Sequence, residues 1–263
     1  MIIEQIYTGN AYRNYNYLIA CDETGEALAI DPLESELCLN SAKKHGWNIT
    51  QVLNTHEHMD HIGGNDAVIA ETGAKLLAHA GAKDLINGID IGLSAGNSII
   101  VGKTVELEVL DTPGHTKSHV CVLAHTEQPA LFCGDTLFNA GAGNCHGGGH
   151  PELLFNTFAE QLSKLSDLTQ IYPGHDYIEN NLGFTLDREP DNSHASKLLN
   201  KIRSQDPDKP LVTTLALEKQ VNTFFRLHNP TIIGKLRERF PDLSEKPSSM
   251  EVFVKLRELR NSW

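Results

Sequence analysis

Apolar positions in the first two-thirds of the chain occur as short runs separated by Gly, Asn and Pro. The runs "YNYLIAC", "EALAID", "ITQVLN", "KLLAH", "VELEVLD", "SHVCVLAH", "PALFCGD" and "TQIYP" are rich in Ile, Leu, Val and Tyr. Short apolar runs bounded by turn residues predict β-strands. Between them, "LESELCLNSAKKHGW", "GGNDAVIAETGA" and "HPELLFNTFAEQLSKL" have helical spacing. This part of the chain is therefore predicted to be strand-rich α/β.

After about residue 176 the pattern becomes helical throughout. The segments "YIENNLGFTLDRE", "SHASKLLNKIRS", "PTIIGKLRERF" and "SSMEVFVKLREL" repeat apolar residues at helical spacing. Asn229 before Pro230 is a helix start, and Ser248 with Glu251 forms a capping-box pattern. We therefore predict two domains, with residues 1–176 as an α/β domain and residues 177–263 as a small all-helical domain.

Charge differs between these two parts. The net charge is −12, which argues against nucleic acid as the main partner. Residues 1–176 hold 8 Lys and Arg against 22 Asp and Glu, whereas residues 177–263 hold 14 against 12. Divalent cations would offset acidic charge in the first part. If the substrate is an anion, we expect the cationic side chains that bind it to come from residues 177–263.

The chain has no apolar run long enough for a membrane span, and its N-terminal segment lacks the features of a signal peptide. Its five cysteines are scattered, with no CxxC pair. That distribution is typical of reduced thiols in the cytosol. We expect a cytoplasmic monomer without a membrane partner.

The segment "NTHEHMDHIGGN" places His56, His58, Asp60 and His61 within six positions. Three imidazoles and a carboxylate this close would repel or desolvate one another if they were buried without a cation. Alternate side chains of an extended segment share a face, so His56 and His58 can bind one ion. The chain then turns, and Asp60 and His61 can address a second ion.

Three further candidate ligands each follow a predicted strand. His115 comes after "VELEVLDTPG", Asp135 after "PALFCG" and His175 after "TQIYPG". His115 can complete the first site, His175 the second, and Asp135 has two oxygens with which to bridge them. Because the donors are imidazoles and carboxylates without a thiolate, zinc, iron and manganese are all compatible.

A two-metal site of this kind predicts a hydrolytic reaction. Water that bridges two cations has its pKa lowered from about 15.7 toward 7, so it becomes hydroxide without a general base. Asp60 can orient that hydroxide by a hydrogen bond. His119, four residues after His115, is predicted to steady a ligand rather than to bind metal.

The motifs "THEHMDH", "DTPGHTKSH", "LFCGDTLF" and "YPGHDY" resemble the metal signature of the metallo-β-lactamase superfamily. Their order and spacing are similar to the glyoxalase II family. The resemblance implies an αββα sandwich followed by a helical domain, and hydrolysis of S-D-lactoylglutathione to D-lactate and glutathione. It also implies one metal on His56, His58 and His115, a second on Asp60, His61 and His175, and Asp135 between them.

The same resemblance implies substrate contacts. Tyr177 matches a tyrosine that touches glutathione, and Arg226 matches an arginine that meets a carboxylate of the tripeptide. The run "NAGAGNCHGGGH" departs from the family, since Asn144 stands at the position of a lysine and His146 at that of a tyrosine. In the family, that lysine and tyrosine contact the glycine of glutathione. Their replacement weakens the expectation that the carboxylate of this glycine binds there, although His146 and the backbone of the Gly-rich run can still bind an anion.

Two alternatives therefore remain open. The first is a hydrolase of the same fold that acts on the thioester of another thiol, or on a lactone. The second is an oxidoreductase with a single iron, similar to the persulfide dioxygenases, which share the HxHxDH opening but use fewer ligands.

Overall fold

Two six-stranded sheets form the centre of the molecule. The structure is a computed structural model that describes residues 1–204 and 210–263. The first sheet has the order β1-β2-β3-β4-β5-β6 and the second β14-β13-β10-β9-β8-β7, and β11 and β12 form a small hairpin. The strands are β1 (Ile2–Tyr7), β2 (Tyr15–Ala20), β3 (Glu26–Ile30), β4 (Asn48–Leu53), β5 (Lys75–His79), β6 (Ile91–Leu93), β7 (Ser98–Val101), β8 (Val105–Asp111), β9 (Val120–Ala124), β10 (Ala130–Gly134), β11 (Leu137–Phe138), β12 (Gly141–Ala142), β13 (Gln170–Pro173) and β14 (Thr213–Thr214). The helices are α1 (Ser35–His45), α2 (Met59–Ile62), α3 (Asn65–Thr72), α4 (Pro151–Glu160), α5 (Ile178–Arg188), α6 (Ser193–Ile202), α7 (Leu215–Val221), α8 (Pro230–Arg239) and α9 (Ser249–Arg260).

The inner faces of the two sheets enclose the main hydrophobic core. Tyr17 and Leu28 of the first sheet pack in one cluster with Leu107, Val122 and Phe132 of the second. Side chains alternate across a strand, and β2, β9 and β10 are buried at every position, so the opposite faces are also apolar and must be covered. Helices α1 and α3 cover the first sheet, and α4 covers the second together with α8 and α9. The predicted αββα sandwich is therefore confirmed.

The predicted helix starts in the second part are present. The Asn229 side chain accepts hydrogen bonds from the backbone N–H groups of Thr231 and Ile232 at the start of α8. Ser248 and Glu251 form a reciprocal capping box at the start of α9. The apolar pattern did not predict α7 or the two-residue strand β14.

The two parts of the chain share a core. β14 pairs with β13 of the second sheet, and Leu154 and Phe158 of α4 pack with Phe224 and Phe253. The second sheet and this hydrophobic cluster both cross the predicted boundary after residue 176. The division into two domains therefore stays a prediction.

The ends of β4, β8, β10 and β13 converge on one edge of the sandwich. Two glycines there allow the close approach of neighbouring groups. Gly134 has φ of +44°, which favours glycine, and a Cβ on Gly174 would lie 2.4 Å from Oδ1 of Asp135. Among the described residues, no helix has both the length and the hydropathy needed to cross a bilayer.

Candidate metal centre

Three imidazoles converge at the edge of the sandwich. Nε2 of His56 lies 3.1 Å from Nδ1 of His58, and that atom lies 3.0 Å from Nε2 of His115. His56 and His58 follow β4, whereas His115 follows β8 in the other sheet. Ring nitrogens that meet this closely need a shared proton or a shared cation.

A second group lies beside the first. Nε2 of His61 is 3.2 Å from Nε2 of His175, and the Asp60 carboxylate is 3.8 Å and 3.4 Å from those two atoms. Asp60 and His61 belong to the short helix α2, whose turn moves them off the extended segment that carries His56 and His58. The ring centroids of His56 and His61 are 4.1 Å apart, so the two groups are adjacent.

Asp135 lies between the two groups. Its Oδ2 is 3.5 Å from Nε2 of His115 and 3.3 Å from Nε2 of His175, while its Oδ1 is 3.4 Å from Nε2 of His61. Oδ1 is buried and has no hydrogen-bond partner among the described residues. Because a buried carboxylate oxygen is costly without a partner, this atom fits a cation between the groups. The structure thus brings all seven predicted ligands together.

A hydrogen bond on the side away from the centre orients each of the five imidazoles. Each presents one ring nitrogen to the centre and places the other on an oxygen atom, which fixes the ring and its tautomer as in known metal sites. The partners are Thr55 Oγ1 for His56 at 3.1 Å, Gly147 O for His58 at 3.2 Å, Asp31 Oδ2 for His61 at 2.9 Å, Asn144 O for His115 at 2.7 Å and Tyr12 O for His175 at 2.8 Å.

Asp31 is a site residue that the sequence analysis missed. It follows β3 in "AIDPL", it is buried, and it adopts φ of +46°. Its carboxylate accepts hydrogen bonds from the backbone N–H and hydroxyl of Thr55 as well as from Nδ1 of His61. The signal that could have found it is its place directly after a buried strand, which it shares with the predicted ligands.

Burial and charge set the protonation of this centre. Burial holds the pKa of His56 well below its ordinary value and lowers the pKa of His115 to about 4, so both rings are neutral and able to bind metal. Burial alone would raise the pKa of Asp135, but His175 and His61 hold it well below its ordinary value. Burial opposes protonation of His61, yet the Asp135 and Asp31 carboxylates raise its pKa, so a cation would replace a proton there.

His119 acts on Asp135, as the sequence suggested for a residue that steadies a ligand. Its Nε2 accepts a hydrogen bond from the Asp135 backbone N–H at 3.2 Å. Its Nδ1 lies 2.9 Å from Oγ1 of Thr112 and 3.1 Å from Oγ1 of Thr136. The buried ring therefore fixes the loop that carries Asp135.

An open cavity of about 230 Å³ adjoins the centre. The ring of Tyr177 stacks on His175 with centroids 4.8 Å apart, and the ring of Phe138 lies 5.8 Å from His175. Predicted contacts Asn144, His146 and Tyr177 all line the cavity. Asn144 also accepts the His146 backbone N–H through its Oδ1, which shapes the loop.

Two arginines of α9, Arg257 and Arg260, line the same cavity. Arg257 is buried, and its Nη1 donates to the carbonyls of Ala142 and Gly143 at 2.6 and 3.0 Å. Arg260 donates to Oδ1 of Asn181 at 3.2 Å. Neither guanidinium pairs with a carboxylate of the described residues. Such uncompensated positive charge favours an anionic ligand.

Arg226 lies elsewhere, which corrects the prediction that it meets the substrate. Its Nε and Nη2 donate to the two carboxylate oxygens of Glu189 at 2.8 and 2.5 Å, and its Nη1 donates to the Lys219 carbonyl at 3.4 Å. It is not among the described residues that line the cavity. The buried carboxylate of Glu189 takes up its charge, so Arg226 has a structural role between α5 and the start of α8.

Comparison with known proteins assigns the class of this fold and site. Residues 18–175 match the family model of the metallo-beta-lactamase superfamily. Among solved structures, ETHE1 from Myxococcus xanthus superposes with a TM-score of 0.68 at 24% identity, covering 100% of this chain and 99% of that one. The BLEG-1 B3 metallo-beta-lactamase gives a TM-score of 0.66 at 23% identity over 85% of this chain and 99% of that one. These likenesses establish the fold.

Residues 176–263 match the model "hydroxyacylglutathione hydrolase C-terminus". Proteins named hydroxyacylglutathione hydrolase from Nitrosococcus oceani and a Polaromonas species are 66% and 65% identical, each over 100% of both chains. A protein from Arabidopsis thaliana named as the cytoplasmic form is 36% identical over 87% of this chain and 90% of its own. This chain belongs to the hydroxyacylglutathione hydrolase (glyoxalase II) family, and it is an enzyme of that type.

Proposed function

We propose that the protein hydrolyses thioesters of glutathione, with S-D-lactoylglutathione split into D-lactate and glutathione. The observation that carries this proposal is the placement of Arg257 and Arg260 in a cavity that opens beside the converging imidazoles. Glutathione has two carboxylates, and the family to which the chain belongs supports the same substrate.

Two divalent cations are proposed as cofactors, zinc first, with iron or manganese as alternatives. The donors are imidazole nitrogens and carboxylate oxygens, which suit all three metals, and the orphaned Oδ1 of Asp135 fits a cation. His56, His58 and His115 would hold one ion, Asp60, His61 and His175 the other, and Asp135 would contact both. When bound, such ions supply Lewis acidity and activate water at neutral pH.

The side chains around the ions have separate tasks in this proposal. Asp60 and Asp135 orient the attacking water, since their carboxylates are the hydrogen-bond acceptors on the central face. Asp31 and His119 hold His61 and Asp135 in place. No protein nucleophile is required, because water attacks the thioester carbonyl and the thiol leaves.

Substrate contacts are proposed for five side chains at the cavity. Arg257 and Arg260 bind carboxylates of the tripeptide. Tyr177 packs against the peptide near the thioester because its ring lies on His175. Asn144 and His146 contribute hydrogen bonds at the loop where the family has lysine and tyrosine. The arginines restore the positive charge that this loop lacks.

The decisive experiment measures thiol release from S-D-lactoylglutathione together with metal content by mass spectrometry. We expect hydrolysis at submillimolar to millimolar substrate and two ions per chain. Absence of thiol release with both ions bound would reject the glutathione thioester. A panel that includes thioesters of other thiols and a lactone tests the other hydrolase, because those substrates should be much poorer if the arginines select glutathione.

The single-iron oxidoreductase is disfavoured by the second ligand group. Asp60, His61 and His175 converge as closely as the first three imidazoles do, which leaves a complete second set of donors. Two bound ions per chain and no oxygen uptake with a persulfide would exclude it.

We also propose that the enzyme is cytoplasmic and monomeric and binds no nucleic acid. All five cysteines are free thiols in the structure, four of them buried, which fits a reducing compartment. The net charge of −12 disfavours binding to nucleic acid. Light scattering of the purified protein would test the monomer.

A further inference from the structure

Arg260 lies beside two neighbouring aromatic rings at the edge of the cavity. Its Cζ is 5.9 Å from the ring centroid of Phe184 and 5.6 Å from that of Trp263. The two rings meet edge to face with centroids 5.6 Å apart. Guanidinium groups at this distance over aromatic faces are held by cation–π attraction. Among the described residues, the Arg260 side chain donates one hydrogen bond, to Asn181.

Trp263 is itself held in a defined position although it is 46% exposed. Its indole N–H donates to Oδ2 of Asp187 at 3.0 Å. Below the ring lies Gly183, where an added Cβ would be 3.0 Å from Cη2 of the indole. The glycine thus leaves room for the ring to lie against α5, where Phe184 follows.

These contacts join an exposed tryptophan to a cavity that it does not line. Burial in a core does not explain the ring, because nearly half of its surface is exposed. An arginine side chain loses rotamer freedom when it binds a ligand, and this loss reduces the free energy of binding. If the side chain is already ordered, the loss no longer counts against binding. A ring that orders Arg260 before substrate arrives would therefore increase affinity.

We propose that Trp263 is a positioning residue that holds Arg260 ready for an anionic group of the substrate. The proposal rests on the proposed function, in which Arg260 binds a carboxylate of the glutathione thioester. Trp263 acts through Arg260 and not on the reacting atoms. Its loss should therefore weaken substrate binding and leave the chemical step unchanged.

Trp263→Ala should raise the KM for S-D-lactoylglutathione about two- to fivefold, the range of a partly exposed cation–π pair, with kcat unchanged. The Kd for S-methylglutathione, a thioether that cannot be hydrolysed, should rise by the same factor in calorimetry. Trp263→Phe keeps an aromatic face and should restore most of the affinity. The double variant Arg260→Ala/Trp263→Ala should be no worse than Arg260→Ala alone.

Trp47→Ala is the matched control. Trp47 stacks on His45 with centroids 4.4 Å apart, packs with the cluster on the α1 side of the first sheet, and is not among the described residues that line the cavity. It should leave KM and Kd as in the wild type. A neutral thioester, S-lactoyl-N-acetylcysteamine, should be hydrolysed equally well by the wild type and Trp263→Ala.

The proposal is overturned if Trp263→Ala leaves the Kd for S-methylglutathione unchanged or lowers kcat alone. It is also overturned if the loss of affinity in the double variant is the product of the losses in Trp263→Ala and Arg260→Ala. A lower melting temperature with unaltered Kd would likewise show a structural role only. Failure of the proposed function looks different, since the wild type would then not release thiol from S-D-lactoylglutathione. In that case, the Kd values of the wild type and Trp263→Ala for S-methylglutathione still test whether Trp263 positions Arg260.

Discussion

The Asp31 carboxylate accepts a hydrogen bond from Nδ1 of His61 at 2.9 Å, on the side of the ring opposite the metal centre. This contact fixes which nitrogen of His61 faces Asp60 and His175. It also makes the ring a stronger donor to a cation. One ligand group therefore depends on a residue some thirty positions earlier in the chain.

Asp31→Asn should weaken binding of the ion at Asp60, His61 and His175 by about 10- to 100-fold, because the amide no longer supplies charge behind His61. Asparagine tolerates the positive φ of this position, so the fold should persist. Titration with a chelator, followed by counting of the remaining ions, measures the effect. Asp84→Asn, an exposed change, serves as the control, and equal metal retention in both variants would contradict the prediction.

The Gly-rich loop supports the other ligand group. An added Cβ at Gly147 would lie 2.4 Å from Nε2 of His58, the atom that contacts the Gly147 carbonyl. Gly147→Ala should therefore displace His58 and reduce metal content toward one ion per chain. Gly234→Ala, at a helical position with open space, should keep two ions. Two ions in Gly147→Ala would show that the loop moves instead.

Arg257 and Arg226 should give opposite results in kinetics. Arg257→Ala should raise the KM for the glutathione thioester by about tenfold or more, since a charge-assisted contact is lost. Arg226→Ala should leave KM within about twofold because its charge is taken up by Glu189. Steady-state kinetics on both variants decides the matter, and a large KM change in Arg226→Ala would return that residue to the substrate pocket.

Arg226→Ala should instead lower the free energy of unfolding by about 1–3 kcal/mol at neutral pH. Burial would raise the pKa of Glu189, but the hydrogen bonds from Arg226 outweigh it and lower that pKa. The stabilisation is therefore present above the ordinary carboxyl value of 4.5 and lost as the pH falls through the lower folded value. Denaturant unfolding of both proteins should give curves that converge in acid.

Metal removal should expose a pH dependence at His115. Burial lowers its pKa from 6.5 to about 4, so the unfolded chain takes up a proton first as the pH falls. The metal-free wild type should then lose stability relative to metal-free His115→Gln between pH 6.5 and 4, by a few kcal/mol. A constant difference between the two proteins over that range would refute the lowered pKa.

Local patterns were enough for much of the site. The spacing of His56, His58, Asp60 and His61 predicted two ligand pairs, and the position of His115, Asp135 and His175 after strands predicted their convergence. Parallel neighbours such as β3 and β4 end at the same edge, which is why strand-end residues meet. Asp31 obeys the same rule but was missed, because its place after a strand was its single signal in the sequence.

The sequence by itself determined a strand-rich α/β part, most of the helices with their caps at Asn229 and Ser248, and the candidate ligands, because these depend on periodicity and on short-range spacing. The arrangement of the strands as a sandwich was expected from the family resemblance. Only the tertiary structure decided which arginine faces the cavity. Arg226 and Arg257 look alike in the sequence, yet Glu189 neutralises the first. The second lies against the backbone of β12, and no carboxylate of residues 1–204 or 210–263 pairs with it. Charge compensation is a contact between distant residues, and no local pattern encodes it.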